Sequence, residues 1–133
     1  MTKTRNKLKI IGLVLTMVLL IASLGVFSLT ASAAEATIIA QGECGAEGSN
    51  VQWKYDNTGT LTISGTGAMA DYSSSDRPWE DYEIEITTVV VENGVTYVGK
   101  NSFRSLDNLT TATIADSVET LGAYAFYVSS KIE

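Results

Sequence analysis

Few side chains in this 133-residue chain are of the types that carry out catalysis or bind metal ions. The chain contains no His and a single Cys, Cys44. This composition excludes Ser-His and Cys-His catalytic pairs, His metal ligands, an intrachain disulfide and a multi-cysteine zinc site. We expect Cys44 to be a small buried residue rather than a thiol that links two chains.

The densest group of carboxylates is an acidic run that consists of Glu80, Asp81, Glu83 and Glu85. Two carboxylates at the right separation can hydrolyse a glycosidic bond. In this run, however, Glu83 and Glu85 flank Ile84 in an alternating pattern. Alternation of this kind favours the solvated face of a β-strand over an acid–base pair.

Two glycine-containing segments have only part of the pattern of a ligand-binding loop. Residues 65–67 (Gly-Thr-Gly) lack the third Gly, the Lys-Ser/Thr pair and the following helix of a phosphate-binding loop. An aspartic protease would need a second copy of residues 56–59 (Asp-Asn-Thr-Gly), and the chain has none. The same segment lacks the Gly and the closing Glu of a calcium loop. A hairpin turn explains the second segment. We therefore assign no catalytic, cofactor-binding or metal-binding residue and expect a protein that is not an enzyme.

Aromatic side chains remain as candidates for a binding site, because flat rings can stack on sugars or anchor a protein partner. Trp53 and Tyr55 occupy alternate positions, which predicts that both lie in the core. Tyr72, Trp79 and Tyr82 lie around a polar, serine-rich loop. We treat these three as candidate ligand contacts, although packing against the repeats described below is favoured for Trp79.

The first 33 residues have the order of a helical secretory signal peptide. Residues 1–9 contain four basic residues and no acid, residues 10–29 form a nearly continuous apolar run, and residues 31–33 (Ala-Ser-Ala) suit a signal peptidase. An uncleaved membrane anchor is the alternative, since about 20 apolar residues can span a bilayer. Polar and small residues within the run favour cleavage after Ala33 and export from a bacterial cell. Membrane contact is expected only through an uncleaved leader.

The charge of the remaining chain limits its partners. Residues 34–133 carry five basic and fifteen acidic side chains, a net charge of −10. Such a surface repels phosphate backbones and anionic lipids, so nucleic acid is not expected as a partner.

A repeat of 23 residues organises residues 86–133, because residues 86–91 (Ile-Thr-Thr-Val-Val-Val) align with residues 109–114 (Leu-Thr-Thr-Ala-Thr-Ile). At this offset five pairs are identical: Thr87/Thr110, Thr88/Thr111, Val95/Val118, Gly99/Gly122 and Phe103/Phe126. Three further pairs stay apolar: Ile86/Leu109, Val91/Ile114 and Val98/Leu121. We expect these positions to be structural. The pattern predicts a solenoid with two full coils and a third that begins at Ile132.

Each coil is expected to contain one strand, two bends and one large aromatic residue. Residues 89–91 and their copy, residues 112–114, have strand composition, and turn formers follow both. Gly99 and Gly122 mark a second bend, where a side chain would be crowded or φ positive. Phe103 and Phe126 are large enough to fill the space between adjacent layers.

This pattern resembles the BspA-like leucine-rich repeats of bacterial cell-surface proteins, whose unit reads roughly L-x-x-V-x-I-P-x-x-V-x-x-I-G-x-x-A-F-x-x-C. Residues 109–126 (Leu-Thr-Thr-Ala-Thr-Ile-Ala-Asp-Ser-Val-Glu-Thr-Leu-Gly-Ala-Tyr-Ala-Phe) follow that frame. Glu92 and Ala115 replace the usual proline, and Leu106 and Ser129 stand where the family has cysteine. These departures could loosen the coils but do not alter the frame.

Residues 34–85 are predicted to form a β-rich cap on the first coil. Residues 51–55 and 61–64 alternate apolar and polar side chains around a four-residue loop, which predicts a β-hairpin. Its buried face would consist of Trp53, Tyr55, Leu61 and Ile63, and Ile38-Ile39 would add a third short strand. The order of Cys, Gly, Trp and Tyr in residues 42–85 also resembles the segment that precedes such repeats. The predicted fold is therefore mainly β: a signal peptide (1–33), a hairpin cap (34–85) and a short solenoid (86–133).

The resemblance to adhesin-type surface proteins implies a secreted or cell-surface module that binds an extracellular protein or another cell-surface ligand without catalysis. Two alternatives stay open. One is a carbohydrate-binding appendage in which Tyr72 and Trp79 stack on a glycan, and the other is the leading segment of a larger exported enzyme. Since a third coil begins without a polar final coil, we also expect a fragment of a longer protein whose open end self-associates tail to tail.

Overall fold

The computed structural model describes residues 34–129, 131 and 132, and this part of the chain is mainly β. It has one short 3₁₀ helix, Glu80–Tyr82. Its eight strands are β1 (Ile38–Gly45), β2 (Gly48–Asp56), β3 (Thr60–Gly65), β4 (Gly67–Ala68), β5 (Thr88–Val91), β6 (Val95–Val98), β7 (Thr111–Ile114) and β8 (Thr120–Leu121). The chain divides into two units, Met1–Glu35 and Ala36–Glu133. The predicted signal peptide lies outside the described residues and stays a prediction.

The predicted hairpin is confirmed. Strand β2 pairs antiparallel with β3, so that Trp53 lies opposite Ile63 and Tyr55 opposite Leu61. All four side chains are buried. In the connecting turn the Asp56 carboxylate accepts a hydrogen bond of 2.8 Å from the backbone N–H of Thr58. The Asp-Asn-Thr-Gly segment therefore acts as a turn, as expected.

The third strand of the cap is longer than predicted. Instead of a short strand at Ile38-Ile39, β1 runs on to Gly45 and pairs antiparallel with β2. Both isoleucine side chains are exposed, whereas Cys44 is the buried residue of β1. Burial raises the pKa of the Cys44 thiol to about 12. The expectation that Cys44 is a small buried residue is confirmed.

Two parallel ladders join the cap to the repeats. One sheet has the strand order β1-β2-β3-β5-β7, and the other has the order β4-β6-β8. In the larger sheet β3 pairs parallel with β5, and β5 pairs parallel with β7. Val91 of β5 lies opposite Ile114 of β7, and these residues are 23 positions apart. The repeat is therefore one turn of a solenoid, and the predicted coil architecture is confirmed.

Hydrogen bonds between layers explain why Thr recurs at positions 87 and 110. The backbone N–H of Thr110 donates to the carbonyl of Thr87 at 2.9 Å, and its hydroxyl donates to the same oxygen at 3.2 Å. One layer earlier, the N–H and hydroxyl of Thr87 both donate to the carbonyl of Gly59, at 2.9 and 3.4 Å. Each Thr thus binds the layer before it twice.

Close approach between layers explains the repeated glycine. A Cβ atom on Gly99 would overlap the backbone carbonyl of Ala70. A Cβ atom on Gly122 would lie 2.5 Å from the backbone nitrogen of Lys100. Of the two reasons expected for glycine at these bends, the structure therefore shows crowding.

Four aromatic rings run through the core from the cap to the second coil, and we call them the aromatic column. Its members are Trp53, Trp79, Phe103 and Phe126, whose consecutive ring centroids are 5.9, 5.9 and 5.1 Å apart. Trp79 and Phe103 are fully buried, whereas Phe126 is only half-buried. Phe103 therefore fills the space between adjacent layers, as predicted, and Phe126 packs against it from the second coil.

Burial of the repeat positions differs between the coils. The positions that are buried are Val91, Val95, Val98, Gly99, Phe103 and Leu109. Their counterparts in the second coil are half-buried: Ile114, Val118, Gly122 and Phe126. Leu121 departs furthest, because 51% of its surface is exposed where Val98 is fully buried. The second coil covers Val98, but no strand among the described residues pairs with the outer edge of β8.

Leu106 and Ser129, which stand where the resembling repeats have cysteine, both contribute to the contact between layers. Leu106 is fully buried in the core. The Ser129 hydroxyl donates a hydrogen bond of 2.9 Å to the carbonyl of Phe103, one coil away.

We predict that Phe103→Ala and Phe126→Ala destabilise the protein unequally. Phe103 has an aromatic ring on each side, so its truncation should cost about 3–5 kcal/mol, as for a core Phe. Phe126 is half-buried, and its truncation should cost clearly less. Urea denaturation of both variants measures the difference. Equal losses of unfolding free energy would show that the proposed order of layers is wrong.

Candidate functional site

The five-stranded sheet has a solvent-facing side that extends across all of its strands, which we call the outer face. Because residues opposite one another in a sheet share a face, the strand register gives its composition. The central row crosses all five strands and consists of Gln41, Lys54, Thr62, Val90 and Thr113. The inward residues of the same strands form the core.

Hydroxyl and amide groups dominate the rest of the outer face. One flanking row consists of Thr60, Thr88 and Thr111, and the other of Glu43, Gln52 and Ser64. The three rows contain one basic and one acidic side chain, although residues 34–133 carry a net charge of −10. The outer face is therefore a nearly neutral, polar area on a strongly acidic protein.

Among the candidate ligand contacts, Trp79 is corrected by the structure. Its side chain is fully buried, and its indole N–H donates to the backbone carbonyl of Ser102 at 3.0 Å. Burial between Trp53 and Phe103 leaves no ring face for a ligand. Trp79 therefore packs the cap against the first coil, which is the alternative that the sequence favoured.

The other two candidate ligand contacts, Tyr72 and Tyr82, are half-buried and pack against different aromatic residues. The Tyr72 ring meets Trp79 edge to face at 5.6 Å, and its hydroxyl donates to the backbone carbonyl of Cys44 at 3.5 Å. Burial raises the pKa of Tyr72 above its ordinary value. The Tyr82 ring stacks on Tyr55 at 4.7 Å. As ligand contacts, Tyr72 and Tyr82 stay predictions.

The acidic run does not form the strand that its alternation suggested. Residues 80–82 are a 3₁₀ helix, and residues 83–85 continue as a turn. Ile84, which an alternating strand would bury, is 65% exposed. The backbone N–H groups of Glu83 and Glu85 bond to carbonyls three residues earlier, so helical turns satisfy the backbone here and the strand interpretation is wrong.

Two carboxylates of the acidic run bind a buried arginine that sequence reasoning missed. The Arg77 guanidinium is within 2.7 Å of the Glu80 carboxylate and 2.9 Å of the Glu83 carboxylate. It also donates to the backbone carbonyl of Arg104 in the first coil. The spacing of Arg77 three and six residues before these acids was the available signal. Glu85 is engaged elsewhere, since its carboxylate accepts a hydrogen bond of 3.3 Å from the Tyr55 hydroxyl.

A second polar connection between the cap and the first coil is made by Asp71. Its carboxylate accepts hydrogen bonds from the backbone N–H of Lys100 at 2.7 Å and from the Tyr97 hydroxyl at 2.9 Å. These bonds hold the pKa of Asp71 below its ordinary value, with the bond from Lys100 contributing most. Nearby, the Asn101 amide donates to the carbonyl of Tyr72 at 2.9 Å. Both residues therefore have structural roles.

Within residues 34–129, 131 and 132, no group of three or more His, Cys, Asp or Glu side chains is placed to hold a metal ion. The same part of the chain has no helix with the length and apolar character needed to cross a bilayer.

Comparison with known proteins adds a family and a solved structure. A family model described as a BspA type leucine-rich repeat region (6 copies) matches residues 81–133. The crystal structure of a leucine-rich repeat protein from Eubacterium ventriosum ATCC 27560 is similar, with a TM-score of 0.62 and 35% sequence identity. That similarity covers 68% of this chain and 24% of the other, so this chain spans about a quarter of the solved protein. No curated protein matches the chain.

We predict that removing the partners of Arg77 destabilises the protein more than removing Arg77 itself. The Arg77 side chain is 1% exposed, whereas those of Glu80 and Glu83 are 34% and 33% exposed. The double variant Glu80→Ala/Glu83→Ala leaves the buried charge of Arg77 without a carboxylate partner. This loss should cost about 3–5 kcal/mol of unfolding free energy. Arg77→Met leaves two carboxylates that water can reach. Urea denaturation should rank the double variant as less stable, and the reverse order would contradict this account of the junction.

Proposed function

We propose that this chain, as a BspA-like leucine-rich repeat protein, binds another protein and does not catalyse a reaction. We propose that it does so at the surface of a bacterial cell or outside it. The matched family and the similar structure are both of leucine-rich repeat proteins, a family typical of protein-interaction modules. The chain spans about a quarter of the similar structure, so the proposal concerns this segment and its own surface.

The observation that carries the proposal is the outer face. Its central row crosses all five strands of the sheet, and each of its two flanking rows crosses three. The cores of protein interfaces are depleted in charged side chains, because burying an unpaired charge costs far more than burying a hydroxyl that finds a hydrogen-bond partner. The Thr, Gln and Ser side chains of the outer face meet that requirement, while the acidic remainder of the protein selects against acidic partners.

The engaged state of the other candidate groups supports binding over catalysis. Glu80 and Glu83 form ion pairs with the Arg77 guanidinium, and the Glu85 carboxylate accepts a hydrogen bond from the Tyr55 hydroxyl. None of these three carboxylates is therefore a free acid–base group. Burial of Trp79 also removes the main stacking ring of the carbohydrate-binding alternative.

An extracellular location is proposed on two grounds. Residues 1–33 have the order of a cleavable signal peptide, and BspA-type repeats are typical of bacterial surface or secreted proteins. The same proposal includes two further points. The protein is either retained at the cell surface or released, and its biological role is adhesion to a host or matrix protein.

We predict that Val90→Arg weakens binding to a protein partner, whereas Ile84→Arg does not. Val90 lies in the central row of the outer face, between Thr62 and Thr113. Ile84 undergoes the same apolar-to-Arg change on an exposed turn outside the sheet. Biolayer interferometry against a panel of immobilised extracellular-matrix proteins, with a glycan array in parallel, measures the effect.

Loss of affinity should reach about 10-fold to 100-fold for an arginine placed in an interface core, corresponding to about 1.4–2.7 kcal/mol. Equal binding by both variants would show that the outer face is not the contact surface. Binding on the glycan array alone would replace the protein-binding proposal with the carbohydrate-binding one.

We also predict that a bacterium expressing the full chain exports it and removes the leader. The product should begin at or near Ala34, because residues 31–33 offer the small side chains that a signal peptidase requires. N-terminal sequencing of the protein in the culture medium and in the membrane fraction distinguishes the outcomes. An intact leader on a membrane-bound product would support the anchor instead.

A further inference from the structure

The turn between β5 and β6 contains the only Asn-Gly pair of the chain, Asn93-Gly94. The turn is closed by a hydrogen bond of 3.4 Å from the backbone N–H of Val95 to the carbonyl of Glu92, and Gly94 has a φ of 110°. A turn with positive φ at its third residue requires glycine or asparagine there. Asn93, the second residue of the turn, is exposed.

An asparagine followed by glycine can react without an enzyme. The backbone nitrogen of Gly94 would attack the side-chain amide carbon, Cγ, of Asn93 and form a new C–N bond. The amide nitrogen of Asn93 would leave as ammonia with the proton that the Gly94 nitrogen gives up. Water then opens the resulting succinimide ring at either carbonyl and produces aspartate or isoaspartate. Glycine favours the attack because it has no Cβ to crowd its nitrogen.

The second coil binds the nitrogen that would attack. The backbone N–H of Gly94 donates a hydrogen bond of 3.0 Å to the hydroxyl oxygen of Ser117. That hydroxyl donates its own proton to the carbonyl of Val95 at 2.8 Å, so its oxygen acts as the acceptor for Gly94. A hydroxyl oxygen is too weak a base to remove an amide proton. The bond therefore keeps the Gly94 nitrogen protonated and directed at Ser117.

We propose that Asn93 is a site of spontaneous deamidation and that stacking of the second coil controls its rate through the bond between Ser117 and Gly94. While the second coil is stacked, the nitrogen is held and the reaction is slow. Local opening of a coil, which costs less than global unfolding, releases the nitrogen and allows the attack.

The second coil shows that the aspartate product fits this turn. Asp116 is the counterpart of Asn93 at the 23-residue offset. The turn around Asp116 has the same closing hydrogen bond, in which the N–H of Val118 donates to the carbonyl of Ala115 at 3.1 Å. Deamidation to aspartate should therefore add a charge and leave the turn intact.

The isoaspartate product does not fit, because it adds one methylene group to the main chain before Gly94. The Gly94 carbonyl accepts a hydrogen bond of 2.9 Å from the N–H of Gly67 in the cap. A Cβ atom on Gly94 would overlap the backbone carbonyl of Gly65, so the glycine has no room to shift toward the cap. Isoaspartate should therefore disrupt the hydrogen bonds that Gly94 makes to Gly67 and to Ser117.

Peptide mass spectrometry of the purified chain, incubated at mildly alkaline pH, tests the control by Ser117. Ser117→Ala should deamidate at Asn93 about three- to tenfold faster than the unmodified chain, corresponding to about 0.7–1.4 kcal/mol for one lost hydrogen bond. Ser117→Thr keeps the hydroxyl and should react at the unmodified rate. In concentrated urea all three proteins should react equally and faster than the folded, unmodified chain.

Ser129→Ala is the matched control, because it removes a different hydroxyl by which the second coil bonds to the first, at Phe103. Its deamidation rate at Asn93 should equal that of the unmodified chain. Equal rates for the unmodified chain and Ser117→Ala when folded would overturn the proposal. Acceleration by Ser129→Ala as large as that by Ser117→Ala would also overturn it, because general loosening would then control the reaction.

The consequence for stability has its own comparison. The isoaspartate form, separated by chromatography from the incubated chain, should unfold at a lower urea concentration than Asn93→Asp, which has the same charge but an ordinary main chain. Equal unfolding midpoints would show that the turn accommodates the longer main chain, which contradicts the account of Gly94.

Discussion

The dependence of each coil on its neighbours governs this structure, because a single 23-residue coil cannot bury its own apolar edge. Phe103 is fully buried only because Trp79 lies on one side of it and Phe126 on the other. The strands follow the same rule, since β5 is paired on both edges and β7 on one. Burial accordingly declines from the first coil to the second.

This constraint explains the composition of the cap. The cap must offer the first coil a parallel strand and an aromatic ring, which β3 and Trp79 supply. It must also fix the segment between them, which Arg77 does by joining two carboxylates to the carbonyl of Arg104. These polar side chains of the cap therefore attach it to the first coil.

The sequence predicted the features that repetition or alternation encodes. The register of β5 and β7, the buried face of the hairpin and the crowded glycines all follow from periodic positions. It did not predict the extent of β1, whose glycines and polar residues have weak strand character but are held by β2. It also mistook the acidic run for a strand, because a buried arginine that organises carboxylates through turns leaves no periodic pattern.

Backbone conformation is repeated more strictly than side-chain type. Positive φ angles occur at Asn101 and Tyr124 (57° and 61°), and again 23 residues apart at Ser105 and Val128 (57° and 63°). Asn tolerates this region, whereas a β-branched residue such as Val is strained there, at about 1–3 kcal/mol for a non-Gly residue. The second coil thus adopts the backbone of the first even where its side chains disfavour it. Stacking on the preceding layer, rather than local propensity, determines the shape of each coil.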